Sequence, residues 1–539
     1  MSCSKIFSGD LPEVTHEVIK YLQNDHLTLH SCILVNRLWC RLAISLLWEN
    51  PFSIHTGNYN FIEIYLRNLN GDFKKKLDSY KVNDNSLTLN TLFNYIKFLK
   101  YLNTYDVLFS VEEWFDVAVG DPKPGNRYFL TDLSFNSVTY FKGLISMSLF
   151  KIFIENEIDL HTLEIEDSNT YFNTCLNNIL ELILQNKNFF HNIRNLKLYI
   201  HNHGSPVIGN RGSQIIHSHQ NLKKILLGYH GLPLYQSLLL KVSNCSNTLN
   251  TIIFFYVDLR VLINLDKVLE QLNVLESVHM IYCSSLNNGF TQQIINSSKP
   301  FKLKSLFINE ISQIESLQLL LQKSGSYLEN FGFGFEFNYN LSLKHQSLGL
   351  IIKYCKGIKF LNFYGFENQI VHLALNLIVN IKQNLNYLVI NVSEDSQLNN
   401  NIERSSIILQ NLGQALPTKL EYLCLILFIK VIDLEIFLKN SQNTFIKKLL
   451  ISNNMQENND DDNIILPYIK EYIMKEKRVE YLAIKDIFLE KDPRYAVECG
   501  DLSNLKDFVE EFKLYDIKVQ NYYDLLSIVS IYYFVKNID

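Results

Sequence analysis

What the chain lacks narrows its class first. The most apolar late run, Leu525 to Val535, has 11 residues, short of the roughly 20 needed to cross a bilayer. Met1 to Asp10 is polar and without the basic-then-apolar order of a secretion signal. Basic charge is not in excess, since 50 Lys and Arg against 55 Asp and Glu leave a formal charge of -5. Such a balance supplies no general electrostatic footprint for nucleic acid. Nine cysteines are scattered with no C-x-x-C pair, which excludes a zinc knuckle or redox dithiol of that spacing. Several sit in apolar runs, where a free thiol acts as a small core residue. A soluble protein of the cytoplasm or nucleus, with no membrane and no nucleic acid among its partners, is the expectation.

Signatures of chemistry are equally scarce. No G-x-G-x-x-G, G-K-S/T or G-x-S-x-G occurs, and Gly332-Phe333-Gly334 falls inside a predicted strand. The acidic run Glu457 to Asp462 has neither the alternating ligands nor the central Gly of a calcium loop. Histidines 201, 203, 217, 219 and 230 cluster in sequence, but Gly204, Pro206, Gly209 and Gly212 among them read as an exposed polar loop, not as converging metal ligands. No catalytic residue, metal or cofactor is assigned.

What the chain does have is a repeat. The pattern apolar-x-x-apolar-x-apolar recurs twelve times, from Leu160-Leu163-Ile165 through Ile193-Leu196-Leu198, Leu222-Ile225-Leu227 and onward to Val479-Leu482-Ile484, at intervals of 25 to 35 residues. Between copies lie amphipathic helical stretches, for example Asn173–Gln185, Ser312–Gln322, Gln369–Gln383 and Leu466–Lys477. A strand-plus-helix unit cannot bury its apolar side alone, so neighbours must stack and share one core. The fold class is therefore α/β, a curved solenoid with parallel strands on the concave face and helices on the convex face. The pattern resembles the leucine-rich repeats of F-box proteins, although the Asn or Cys expected after the third apolar position is mostly missing; Cys283 is a fair match.

Ahead of the repeats, Leu11 to Trp48 reads as three short helices, with Pro12 suited to a first turn and Val14, Val18, Ile19 and Leu22 marking a face. Leu11-Pro12, Ile19, Leu22, Val35-Asn36-Arg37-Leu38-Trp39 and Leu47-Trp48 resemble an F-box over about 40 residues. The resemblance implies docking to a Skp-family adaptor and, through it, a cullin. It would place Leu11, Pro12, Ile19, Leu22, Val35 and Trp39 at or directly behind the docking surface. The competing reading is that these residues form the module's own core or cap the first repeat. The domain expectation is a module at 1–50, a linker and helical cap at 51–126 (Leu92–Leu102 helical), about 12 repeats at 127–490 with Leu130-Leu133-Phe135 as a degenerate first strand, and a C-terminal helical cap at 491–539.

Residues between the apolar pegs should face the concave side. They include Asn195, Lys197, Thr251, Ile253, Ser277, Asn309, Asn391 and Lys448. Tyr199, Phe255, His279, Phe307, Asn362, Tyr364, Tyr387 and Tyr422 are the candidates for binding a protein substrate, being aromatics beside amides. The functional expectation is a non-enzymatic substrate-recognition adaptor of an SCF-type ubiquitin ligase. A leucine-rich scaffold with no ligase role is the alternative.

Overall fold

The structure is a computed structural model that describes residues 12–538 apart from 24, 55–58, 70–90, 120–134, 168–171, 202–205, 230–234, 236–238, 240–241, 310, 312, 334–340, 366–367, 393–397, 456–464, 486–499 and 537. Two compact units are present, one of residues 1–257 with 268–276 and one of 258–267 with 277–539.

The first unit begins with helices α1 (Pro12–Lys20), α2 (His26–Ile33) and α3 (Arg37–Leu47). Strands β1 (Tyr101–Asn103), β2 (Thr162–Asp167), β3 (Asn195–Ile200), β4 (Lys224–Gly228) and β5 (Thr251–Phe255) follow, each paired in parallel with its sequence neighbour. The second unit holds β6 (Ser277–Cys283), β7 (Leu303–Ile308), β8 (Asn330–Phe333), β9 (Phe360–Tyr364), β10 (Tyr387–Asn391), β11 (Lys419–Leu427), β12 (Phe445–Asn453), β13 (Val479–Lys485) and β14 (Lys518–Val519), again parallel and in sequence order. Parallel neighbours require a crossover. In most repeats that crossover is a helix, packed on the helix of the next repeat.

The apolar pegs form the core between strands and helices. Leu163, Ile165, Leu196, Leu198, Ile225, Leu227, Leu361, Leu388, Leu423, Leu449 and Leu482 are all essentially inaccessible. One backbone device repeats with them. The carbonyl of Lys100 accepts from both His161 and Thr162 N–H, that of His161 from Arg194 and Asn195, and that of Arg194 from Lys223 and Lys224. In the second unit Glu329 serves Lys359 and Phe360, Lys359 serves Asn386 and Tyr387, and Asn386 serves Glu421 and Tyr422. These turns of chain thus each hand one carbonyl to two amides of the next, and the backbone groups there stay satisfied.

Several expectations need correction. The strand array starts earlier than residue 127: Leu92–Leu102 is a 3-10 turn at Tyr95–Phe98 followed by β1. The apolar pattern fails there because the third peg is Thr104, a buried residue whose hydroxyl accepts from Glu166 N–H at 3.1 Å. Phe135 opens a long helix, Phe135–Glu155, instead of ending a strand, while Leu130 and Leu133 lie outside the described residues. The supposed loop after His201 is a 13-residue helix, Pro206–Ser218. Pro206 is tolerated in its first turn, and Gly209 and Gly212 are buried beside Ile208, Ile215 and Ile216. Fourteen strands are present among the described residues, two more than the twelve pattern copies. The expected helices fare better: Asn173–Gln185 is matched to the residue, Ile314–Ser324 and Asn368–Ile381 within a few, and Leu466–Ile469 continues as a π turn at Lys470–Met474.

Among the described residues one helix, Ser137–Glu155, is long and apolar enough to cross a membrane by length and composition. Its Phe141, Ile145, Leu149, Phe150 and Phe153 are buried, and Phe153 meets Phe52 and Tyr65 edge-on, as a core helix does.

Glycine is required at one strand position above others. A Cβ on Gly332 in β8 would meet the Asn362 carbonyl and the Phe307 ring, both at 2.8 Å. The missing side chain lets Phe307 on β7 lie across β8 and reach Phe360 on β9 at 5.8 Å. Gly332→Val should therefore cost roughly 1–3 kcal/mol. Gly349→Ala, in the helix Leu341–Tyr354 where a Cβ meets open space, should instead gain about 0.4–1 kcal/mol. Denaturant titration of the full chain measures both, and an unchanged midpoint for Gly332→Val would contradict the packing described.

Candidate functional site

Two surfaces carry the residues singled out by sequence. The first is the helical module. Asp25 caps α2 by accepting from Thr28 N–H at 3.0 Å and from the Thr28 hydroxyl at 2.7 Å. Asn36 caps α3 through Oδ1, which accepts from Leu38 and Trp39 N–H at 2.9 and 3.0 Å. The Asn of Val35-Asn36-Arg37-Leu38-Trp39 is thus an N-cap, and the Trp, three residues on, turns inward. Ile19, Leu29, Cys32, Trp39 and Ala43 make the module's core, with Leu22, Ile33, Leu42, Leu46 and Leu47 packed against it.

Of the six residues proposed for docking, Ile19 and Trp39 therefore belong to that core. Leu22 is half-buried, and Val35 remains 48% exposed. Pro12 opens α1, and Leu11 lies outside the described residues. Sequence reasoning missed the residues that are outermost: Tyr21 is 90% exposed, Leu27 85% and Leu34 81%, with Val14 and Val18 also open. Val14, Val18 and Tyr21 stand at four- and three-residue spacing, one side of a helix. Apolar side chains of that size gain by leaving water, and their number on so small a module marks a surface to be covered. Trp48 points the other way, onto Tyr95 at 4.2 Å and Tyr65 at 5.4 Å. The Glu49 carbonyl accepts from Lys100 and Tyr101 N–H, the same device that links the later repeats.

The second surface is the face of the strands opposite the pegs. In the first unit, register aligns Asn103, Glu164 and Lys197 in one row and Glu166, Tyr199, Gly228 and Phe255 in another. Glu164 takes a hydrogen bond from Asn103 at 3.1 Å and faces Lys197 at 3.7 Å, both charges nearly buried. Gly228 leaves room for the Tyr199 ring, which meets Phe255 edge-on at 6.1 Å. Tyr229, just beyond β4, stacks on His201 at 4.0 Å. Burial, with Glu166 next in effect, holds the Tyr229 phenol above its ordinary range.

In the second unit one row runs His279, Ser305, Asn330, Phe360, Tyr387, Tyr422, Lys448, Tyr481 and Lys518 across β6 to β14. Phe360 stacks on Tyr387 at 6.0 Å and Tyr387 on Tyr422 at 6.4 Å. Lys448 and Lys518 then sit over the Tyr481 ring, cation on aromatic face. His279 Nδ1 lies 2.7 Å from the Ser305 hydroxyl. The sequence reading found Tyr387 and Tyr422 but not Phe360 or Tyr481, which alternation with Asn362 and Leu482 would have given.

The expected open wall is largely closed. Tyr199, Phe255, His279, Phe307 and Tyr422 are buried, while Asn362, Tyr364 and Tyr387 are half-buried. In the second unit the covering element is the chain's own end. Helices Tyr522–Ser527 and Ile531–Lys536 lie on this face. Tyr422 donates its hydroxyl to the Leu525 carbonyl at 2.9 Å. Phe534 contacts Phe360 at 5.1 Å and Phe307 at 5.3 Å. Burial keeps the Tyr422 phenol protonated, hence a donor at any ordinary pH. The described residues of the expected C-terminal cap thus do more than close the end of the array.

The remaining candidates have structural roles. Cys32, Cys245, Cys283, Cys355 and Cys424 are buried free thiols, and burial pushes Cys355 up to about 12. His219 is buried against Phe190, ring to ring at 5.2 Å. His203, His230 and the acidic run 457–462 lie outside the described residues. Comparison of the chain with protein-family models and with curated proteins returned no match. Geometry and chemistry carry the functional argument.

His219 generates a pH prediction. Burial first, and the charge of His191 second, pull its pKa down to about 4 from an unfolded value near 6.5. Below pH 6.5 the unfolded chain therefore binds a proton that the folded chain refuses. The contribution is complete above pH 6.5 and is lost as pH falls toward 4, amounting to about 2 kcal/mol at pH 5. Urea titrations at pH 7 and pH 5 should show that loss, reduced in His219→Leu; an equal loss in both proteins would assign it elsewhere.

Proposed function

We propose that this chain is a protein-binding adaptor, specifically the substrate-recognition subunit of an SCF-type ubiquitin ligase. The N-terminal module docks a Skp-family adaptor and thereby a cullin, and the strand array, a leucine-rich-repeat solenoid in this reading, binds a protein substrate in the cytoplasm or nucleus. One observation carries it: a three-helix module whose Asn36 and Trp39 are used as cap and core, while Tyr21, Leu27, Leu34 and Val35 stay in solvent. Aliphatic and aromatic side chains standing out of a small helical module suit burial in a partner's groove.

A second reading is favoured by the Glu49 carbonyl, which joins the module to β1 as several repeats join the next. In that reading the module only caps a protein-interaction scaffold. The two differ in whether the exposed side chains have an external partner.

The docking surface follows from exposure, not from the motif residues as first read. Leu34→Asp with Val35→Asp should cut capture of a purified Skp-family adaptor by the full chain about 100-fold, with helical signal and melting temperature unchanged. Trp39→Ala should lose capture too, but through a fold penalty of about 3–5 kcal/mol visible as early melting. If the unaltered chain captures no adaptor, the ligase reading falls and the cap reading stands.

A further inference from the structure

We propose that the C-terminal segment 521–538 is a displaceable internal ligand of the second unit's strand face, holding the place of a partner's apolar, aromatic-bearing helical segment. The inference rests on reading that face as a binding surface.

β14 is the last strand among the described residues and lies beside β13. The chain then turns at Asn521, whose Oδ1 accepts from Tyr523 N–H at 2.9 Å, and doubles back over strands laid down earlier. Leu525 reaches β11 and Phe534 reaches β9 and β7. The segment therefore lies across the strands, along the row Tyr422, Tyr387, Phe360.

Its backbone is organised in two helices of six residues each, and among the described residues it adds no strand to the sheet. Its ties include the Tyr422 hydroxyl bond, an Asp501 carboxylate accepting from Tyr522 N–H at 2.7 Å, Lys485 over the Tyr522 and Tyr523 rings, the Phe534 ring contacts, and apolar burial of Leu525, Val529 and Val535. Lifting it leaves every strand-to-strand bond of β6 to β13 intact. Helices this short do not persist alone in water, so the released segment gains chain entropy.

With the segment lifted, Phe360, Tyr387 and Tyr422 and the Phe307 ring beside Phe360 would form a contiguous aromatic patch, and water is a poor partner for it. A competing ligand must bring similar chemistry: an apolar face with aromatics a few turns apart and a carbonyl for the Tyr422 hydroxyl. The segment's own Tyr522, Leu525, Val529 and Phe534 describe that ligand.

The test uses the full chain. Hydrogen exchange read by mass spectrometry should show amides of 522–536 exchanging at least about tenfold faster than those of β9 to β12, since local opening precedes global unfolding. A fluorescent peptide copying residues 521–539 should bind the Phe534→Asp chain at least about tenfold more tightly than the unaltered chain, whose face is occupied. Tyr422→Phe, which removes only the hydroxyl bond, should raise tail exchange without lowering strand protection. Tail amides that exchange in step with the strands, or a peptide that binds both chains equally or neither, would make the segment a fixed part of the core and overturn the proposal. Should Phe534→Asp not fold, the exchange comparison and Tyr422→Phe decide. Adaptor capture in the same preparations tests the ligase reading separately, because the module does not enter these measurements.

Discussion

The constraint that organises this molecule is that a parallel strand must be covered on both faces. The peg face presents no difficulty, since each crossover helix lies on it and a buried Leu or Ile contributes about 1.5–3 kcal/mol. The opposite face decides the rest. Leu226, Ile253, Ile281, Phe307, Cys424, Leu450 and Ala483 sit there and are inaccessible, so it is not a polar wall with scattered aromatics. It is a second apolar surface, and in the second unit the chain supplies a cover for it from its own end.

That second surface was legible in the residues. β5 reads TIIFF and β11 KLEYLCLIL, continuous apolar runs of the kind that strands buried on both faces require. A strand with one wet face alternates instead. Attention to the pegs alone identified the repeat, its period and its helices, and treated the residues between pegs as open. The failures elsewhere have equally local causes. β1 is hidden because Thr104 replaces an aliphatic peg and compensates with a hydrogen bond. The helix Pro206–Ser218 is hidden because two glycines normally disfavour helix, a cost of about 1 kcal/mol each that tertiary packing of Ile208, Ile215 and Ile216 outweighs. β14 is two residues long and carries no pattern at all.

The module teaches a different lesson about motif residues. Those that recur in a motif are often the ones the fold itself needs. Asn36 satisfies two amides at the start of α3, and Trp39 fills the space among Ile19, Leu29 and Ala43. Truncating either removes the scaffold before it tests any surface. What is available to a partner is set by exposure, and on this criterion Leu34 and Leu27 outrank even Val35, the most exposed of the described residues that the motif would nominate.

The two surfaces are thus in opposite states, and the difference is thermodynamic. On the module, large apolar groups stand in water, and any partner that covers them gains the full transfer free energy of the area it buries. On the second unit's strand face, that gain is already realised intramolecularly, at the high effective concentration of a tethered segment. A partner there competes with an occupant instead of filling an empty groove, and its apparent affinity is reduced by the fraction of time the face is open. Recognition at such a face is consequently selective. A ligand that merely matches the tail's apolar area is outcompeted by the tether, and one that adds contacts beyond Phe534 and Leu525 succeeds.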